Sequence, residues 1–210
     1  MSEAGRGRRW TEAGLIAGIS VPFLYFGTQA VSMPLYPGYD LLRQPASALG
    51  SDSAPWASVF NAGAILTGLA TLAAAYGVGR ALAALGGWRF LAVLTALALV
   101  SSGAASVNAG LFHLPDPRHN PGWLGIGTFL FPLIMLIAAW PLPDSRRLKI
   151  MLIAGFVAIA ALAPIMGGLT GIDRAAYGGL LQRLVALALF VPVGISAYWL
   201  LRRLRAAPSA

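Results

Sequence analysis

The chain has 210 residues, 58 % apolar and only 10 % charged, with 15 Lys and Arg against 7 Asp and Glu, a formal net charge of +8 and no cysteine. So few charges cannot cover the exterior of a soluble domain, where about 25 % of residues are charged. Missing cysteines exclude disulfides and thiolate chemistry, and basic residues that flank apolar segments instead of forming one face exclude a nucleic-acid surface.

Six apolar stretches follow one another, at residues 12–33, 57–79, 89–112, 122–142, 149–168 and 179–201. Each is near the roughly 20 residues that carry a helix across about 30 Å of hydrocarbon. The fold expected is therefore all-α, an integral membrane bundle of six transmembrane helices. Residues 1–10 form a basic tail, 11–202 the transmembrane domain and 203–210 a second tail.

The first stretch follows Arg6, Arg8 and Arg9, is too long for a signal-peptide core and carries Pro22, so it reads as a retained helix. Next comes the longest connection, about 34–56, where Pro34, Pro37, Pro45 and Pro55 dictate a non-helical path. Within it Ser47 is expected to cap a short helix leading to Gly50. Gly86 and Gly87 turn the second helix into the third, and Pro141 to Asp144 break the fourth. The third loop, 112–121, is the densest polar segment and holds both histidines. Gly122 to Gly127 superficially resembles a phosphate-binding loop, but it follows no strand and opens a membrane helix.

Basic residues sort by side. The N-terminus, the second and fourth connections and the C-terminus hold 11 of the 15; only Arg43, Arg118, Arg174 and Arg183 lie opposite. The positive-inside rule then makes both termini cytoplasmic, with the protein in the cell membrane. On the outer side an Asp is followed within three residues by an Arg in Asp40/Arg43, Asp116/Arg118 and Asp173/Arg174, the spacing of surface ion pairs. Helix contacts should run through small residues: Gly63, Thr67 and Gly68, the run Ser101–Ser106, and Ala154, Gly155, Ala158 and Ala161. These faces also permit association of copies, and leave the oligomeric state open. Trp56, Trp123 and Tyr39 on one side, with Trp10, Trp88, Trp140 and Trp199 on the other, suit interfacial belts.

Polar side chains inside apolar stretches are costly without partners, so they mark candidate sites. Asn61, Asn108, Gln182 and Arg183 all fall about one turn below the outer surface. Arg183 either snorkels to that surface or pairs with a loop carboxylate such as Asp40 or Asp116. His113, Asp116 and His119 have the right atoms for zinc, but their spacing matches no established ligand pattern, and no metal or cofactor is expected. The two histidines lie at one membrane end, which does not suit haem. Asp116, His119 and Asp40 are the candidates for acid–base catalysis. Ser47 lacks a nucleophile elbow and an evident oxyanion hole.

The succession Tyr39, Asp40, Ser47, Gly50, then Trp56 and Asn61, then Asn108, Phe112, Pro115, Asp116 and His119, then Gly179, Gln182 and Arg183 resembles the DUF998 family of six-helix bacterial membrane proteins without assigned function. In that family a Phe-Pro-x-Asp sequence ends the third helix. Here it is stretched to Phe112–Asp116, so Asp116 and His119 fit the pattern better than His113. The resemblance implies fold and location but no reaction. Two readings stand: a bundle that binds a lipid or other amphiphile, with Arg183, Gln182, Asn61, Asn108, Tyr39, Ser47 and His113 around the polar head; or an intramembrane enzyme acting on a lipid or isoprenoid. Transport is weaker, because no ionisable residue lies at the midplane. Membrane lipids are the partners expected.

Overall fold

In this computed structural model the described residues are 3–120 and 122–207. Residues 1–2 and 208–210 of the two expected tails, Pro121 of the third loop and the side chains of Glu3 and Ala4 lie outside them. Six helices form: α1 (Glu3–Ser32), α2 (Ala57–Ala84), α3 (Arg89–Leu111), α4 (Ile126–Ala139), α5 (Arg146–Met166) and α6 (Arg174–Ala206). No strand occurs among the described residues. Six segments, one per helix, are long and apolar enough to cross a membrane. Successive helices pack side by side and α6 returns to α1, closing a ring; α6 also touches α2 and α4 and is the most enclosed helix.

The boundaries differ from the apolar stretches where polar residues prolong or interrupt a helix. α1 starts at Glu3, so Arg6, Arg8 and Arg9 ride on it instead of in a tail. α6 starts early because the Asp173 carboxylate accepts from the backbone N–H groups of Ala175 (2.8 Å) and Ala176 (3.2 Å), an N-cap. Asp173 is therefore spent on capping, while Arg174 donates to the Met166 carbonyl (2.8 Å); the third expected Asp/Arg ion pair does not form.

α4 has only 14 residues, about 21 Å at 1.5 Å per residue, so an irregular stretch completes its span. Non-helical backbone at that depth needs partners from protein. Ser101 of α3 supplies them: its hydroxyl donates to the Leu124 carbonyl and accepts from Gly127 N (3.0 Å). The glycine-rich segment is thus a packed turn at a helix start.

Close approach of small residues holds the ring. A side chain at Gly68 would meet the Gly103 carbonyl at 2.6 Å, and one at Gly103 the Gly68 carbonyl at 2.8 Å, so α2 and α3 touch backbone to backbone. α1 and α2 meet the same way at Gly14 and Gly77. The ring of Pro22 on α1 sits in the space that Gly194 of α6 leaves open. Leu15, Val78, Leu99, Phe131, Leu152 and Leu200 belong to one continuous apolar core.

Both chain ends meet at one end of the bundle. There Glu12 takes Arg8 (3.3 Å) and Arg205 (3.0 Å), and Asp144 takes Arg203 (3.1 Å). We call this the basic end, and its opposite the loop end.

Candidate functional site

At the loop end the first long connection folds back over the starts of α2 and α6. Asp40 begins this: its carboxylate accepts from Leu42 N (2.9 Å) and Arg43 N (3.3 Å), and Arg43 Nε lies 3.5 Å away. Such a side-chain turn is what Asp does best in loops. It brings the Leu42 and Arg43 carbonyls onto α6, where Leu180 N (3.0 Å) and Gly179 N (3.1 Å) donate to them. Gly179 is required there, since a methyl group would overlap the Leu41 and Gln44 carbonyl oxygens.

Arg183 lies one turn further along α6 and is 9 % exposed. Its Nη1 donates to the carbonyls of Leu41 (3.0 Å), Gln44 (3.1 Å) and Gly179 (2.8 Å), and Nη2 donates to the Tyr39 hydroxyl. Among the described residues it forms no ion pair. Neither snorkelling nor pairing with Asp40 or Asp116 describes it: backbone dipoles compensate the buried charge, and the planar fork reaches several acceptors at once. Tyr39 donates to the carbonyls of Gln44 (3.1 Å) and Pro45 (2.9 Å). Burial pushes its phenol above the usual range, opposed by the hydrogen bond from Arg183. Half-buried in this way, Tyr39 belongs to the cap rather than to an interfacial belt.

The same loop is gripped twice more. Gln182 accepts from Ala46 N (2.6 Å), and Asn61 of α2 donates to the Gly50 carbonyl (3.0 Å). Ala46–Gly50 is a short 3-10 turn whose N-cap is Pro45; Ser47 sits half-buried inside it and caps nothing.

The third loop forms a separate polar group. Asn108 donates to the Arg118 carbonyl (2.6 Å), and His119 Nδ1 donates to the Phe112 carbonyl (2.8 Å). Asp116 pairs with Arg118 (2.6 Å) and also accepts from Arg118 N (2.8 Å), which holds its carboxyl down at about 2. Arg118 lies over the Phe112 ring, 4.1 Å from its centroid. His113 is not idle: its Nδ1 stands 2.8 Å from Asp52 Oδ1, and Asp52 N donates to the Leu114 carbonyl (3.0 Å). These contacts tie the first and third loops together. An open cleft of about 600 Å³ lies here, lined by Asp52, Phe112, His113, Asp116 and Arg118 among others; Arg183, Asn61 and Tyr39 do not line it. Among the described residues, no group of three or more His, Asp or Glu side chains is arranged to hold a metal ion.

Residues 6–199 of the chain match a known family, described as a protein of unknown function and designated DUF998. The chain belongs to the DUF998 family. No curated protein and no solved structure matches it.

In this DUF998 protein all ten candidate residues lie at the loop end, but in two groups. Tyr39, Asp40, Ser47, Asn61, Gln182 and Arg183 build the cap of the first loop; Asn108, His113, Asp116 and His119 build the third. Sequence reasoning missed Asp52, which links them. It has no charged neighbour within four positions to announce a role. A second concave surface was also missed. Between α1 and α6, a groove of about 660 Å³ is lined by Ile19, Pro22, Phe23, Phe26, Gly194 and Ile195 among others, with Tyr198 at its basic-end limit. Its signal was present only as paired Pro and Gly on helices far apart in the chain.

Proposed function

We propose that this protein binds a lipid or other amphiphile of a bacterial cytoplasmic membrane, with the basic end in the cytoplasm and the amphiphile's tail lying in the groove between α1 and α6. The observation that carries the reading is the groove itself. Its volume is that of a small-molecule site, its walls are almost wholly apolar, and it lies on the helices that close the ring. Beyond Tyr198 the Arg202 guanidinium lies 5.9 Å from that ring's centroid, a cation placed to meet an anionic head. The polar side chains at the loop end are poor candidates for that head. Arg183, Gln182, Asn61 and Asn108 already bond loop backbone, so a ligand would have to displace the cap.

Gly27 gives the test. It lines the groove, and nothing lies within 4 Å of where its side chain would begin. Gly27→Phe should fill the groove without strain, leaving the thermal midpoint unchanged and removing the lipid species that co-purify with the wild type, read by mass spectrometry. The same species at the same stoichiometry in the variant would sink the reading. For orientation, a reporter active only outside the cytoplasm should stay silent when fused to either terminus.

One observation favours a second reading, acid–base catalysis. Asp52 Oδ1 stands 2.8 Å from His113 Nδ1, outside hydrogen-bond geometry but close enough to pair with a protonated ring, and both side chains line the open cleft. This dyad takes the place of the His119 and Asp116 pairing expected from sequence, because His119 is bonded to backbone and Asp116 to Arg118. Asp52→Asn should then abolish turnover of a lipid headgroup substrate while lipid retention persists.

A further inference from the structure

At the basic end, α2 and α3 are joined by a tight turn in which Gly86 takes φ 84° and Gly87 N donates to the Leu82 carbonyl (2.9 Å). The turn places Arg80, near the end of α2, beside Arg89, the first residue of α3. A groove of about 650 Å³ opens between the two helices, lined by Tyr76, Arg80, Ala83, Arg89, Ala92 and Val93 among others. It is remote from the loop-end cleft and shares no lining residue with the groove between α1 and α6.

The placement of its two arginines sets this groove apart. At this end Arg8 and Arg205 share Glu12, Arg203 takes Asp144, Lys149 lies over Trp140 and Arg202 over Tyr198, while Arg6, Arg9, Arg146 and Arg147 stand outside this groove and the one between α1 and α6. Arg80 and Arg89 are exposed and, among the described residues, make no ion pair, hydrogen bond or ring contact. They are two cations on the rim of one cavity with no anion between them. Depth is marked by Trp88 and Phe90, both 70 % exposed beside Arg89, the arrangement of aromatic residues at headgroup level. Tyr76 stands one helical turn deeper than Arg80, and Ala83, Ala92 and Val93 leave small apolar walls. The floor is closed, since Gly79 approaches the Ala96 methyl group so closely that a side chain there would stand 3.1 Å from it.

We propose that this groove binds the phosphate headgroup of an anionic phospholipid. Arg80 and Arg89 hold the phosphate oxygens through their planar forks, Tyr76 donates its hydroxyl from below, and an acyl chain runs down over Ala92 and Val93. Charge complementarity selects the occupant: two uncompensated cations at the headgroup level of a membrane protein face the phosphates of the leaflet around them.

The experiment uses the full chain in detergent, titrated with phosphatidylglycerol or phosphatidylcholine, with bound lipid counted by native mass spectrometry. Arg80→Gln/Arg89→Gln should lower the preference for phosphatidylglycerol by roughly 30-fold, on the basis of the contribution of each basic residue near an anionic surface taken twice. Arg6→Gln/Arg9→Gln removes the same charge from the same end outside the groove and should keep the preference. Val93→Trp, which fills the groove without changing charge, should lose it, and keeps the test decisive if the double variant folds poorly. Unchanged preference in the double variant, or an equal fall in the Arg6/Arg9 control, overturns the site. Competition by inorganic phosphate as strong as by phosphatidylglycerol overturns the lipid as occupant. Repeating the series in the Gly27→Phe background separates this groove from the one proposed above, because only the groove between α1 and α6 is filled there.

Discussion

Replacing Arg183 by Met removes the cation but keeps most of its length and apolar stem, so the effect isolates the hydrogen bonds to the first loop. Three carbonyls and one phenol lose a donor. They are not equally harmed. The Gln44 carbonyl keeps the Tyr39 hydroxyl at 3.1 Å, and the Gly179 carbonyl keeps its helical N–H partner, so only the Leu41 oxygen depends on Arg183 alone. An unsatisfied acceptor costs about 1–3 kcal/mol when buried, and the Leu41 bond is only part-buried. Adding the weakened neighbours and subtracting the relief of a buried charge leaves about 1–2 kcal/mol for loosening the loop. At 1.4 kcal/mol per tenfold, that is roughly a 5- to 30-fold rise in the open population. Arg43 in this loop is exposed and offers a tryptic site. Cleavage after Arg43, followed in lipid nanodiscs at low protease concentration, tracks that open population. The Arg183→Met chain should be cut at that bond faster by the same factor, with far-ultraviolet circular dichroism unchanged. Arg183→Lys should fall between, because a point cation reaches carbonyls but cannot bridge them to Tyr39. Equal cleavage rates in wild type and Arg183→Met would show that the loop is held by something else, and the anchoring argument would fail.

Two further outcomes follow from the loop end. Gly179→Ala puts a methyl group against the Leu41 and Gln44 carbonyls with every charge kept, so tryptic cleavage at Arg43 should accelerate at least as much as in Arg183→Met; a variant cut at the wild-type rate would refute the close approach. Asp116 is held below the usual carboxylate range, at about 2, first by the Arg118 side chain and then by Arg118 N–H. Its contribution is therefore present above roughly pH 3.9, the unfolded value, and is lost as pH falls through about 2. A carboxyl NMR titration should show the low midpoint in the wild type and a return toward the ordinary range in Arg118→Gln.

Much of the architecture was legible in the linear chain. Six spans appear because every residue between interfaces must be apolar or partnered, a constraint that acts locally and leaves a mark about 20 residues long. The α4 start was misjudged for the same local reason: hydropathy counts residues 122–125 as membrane-crossing, while their backbone needs a serine 23 residues away in the chain. The candidate site was legible as a level and not as an arrangement. Asn61, Asn108, Gln182 and Arg183 do meet the loop end, since helix direction and position fix depth. What each one touches depends on carbonyl groups of the loops, which every residue carries and no sequence pattern distinguishes.

Residue order alone thus determined a six-helix membrane bundle of the DUF998 family with both ends of the chain on one side, because hydrocarbon tolerates so few backbone solutions. Folding in three dimensions decided that Arg183 clamps a loop, that His113 lies beside Asp52, that His119 bonds backbone instead of Asp116, and that grooves open between α1 and α6 and between α2 and α3, with a cleft at the third loop. Those outcomes rest on side chains and carbonyls brought within 3 Å or so by helix packing, a distance scale on which hydrogen-bond geometry decides partners and sequence separation carries no information.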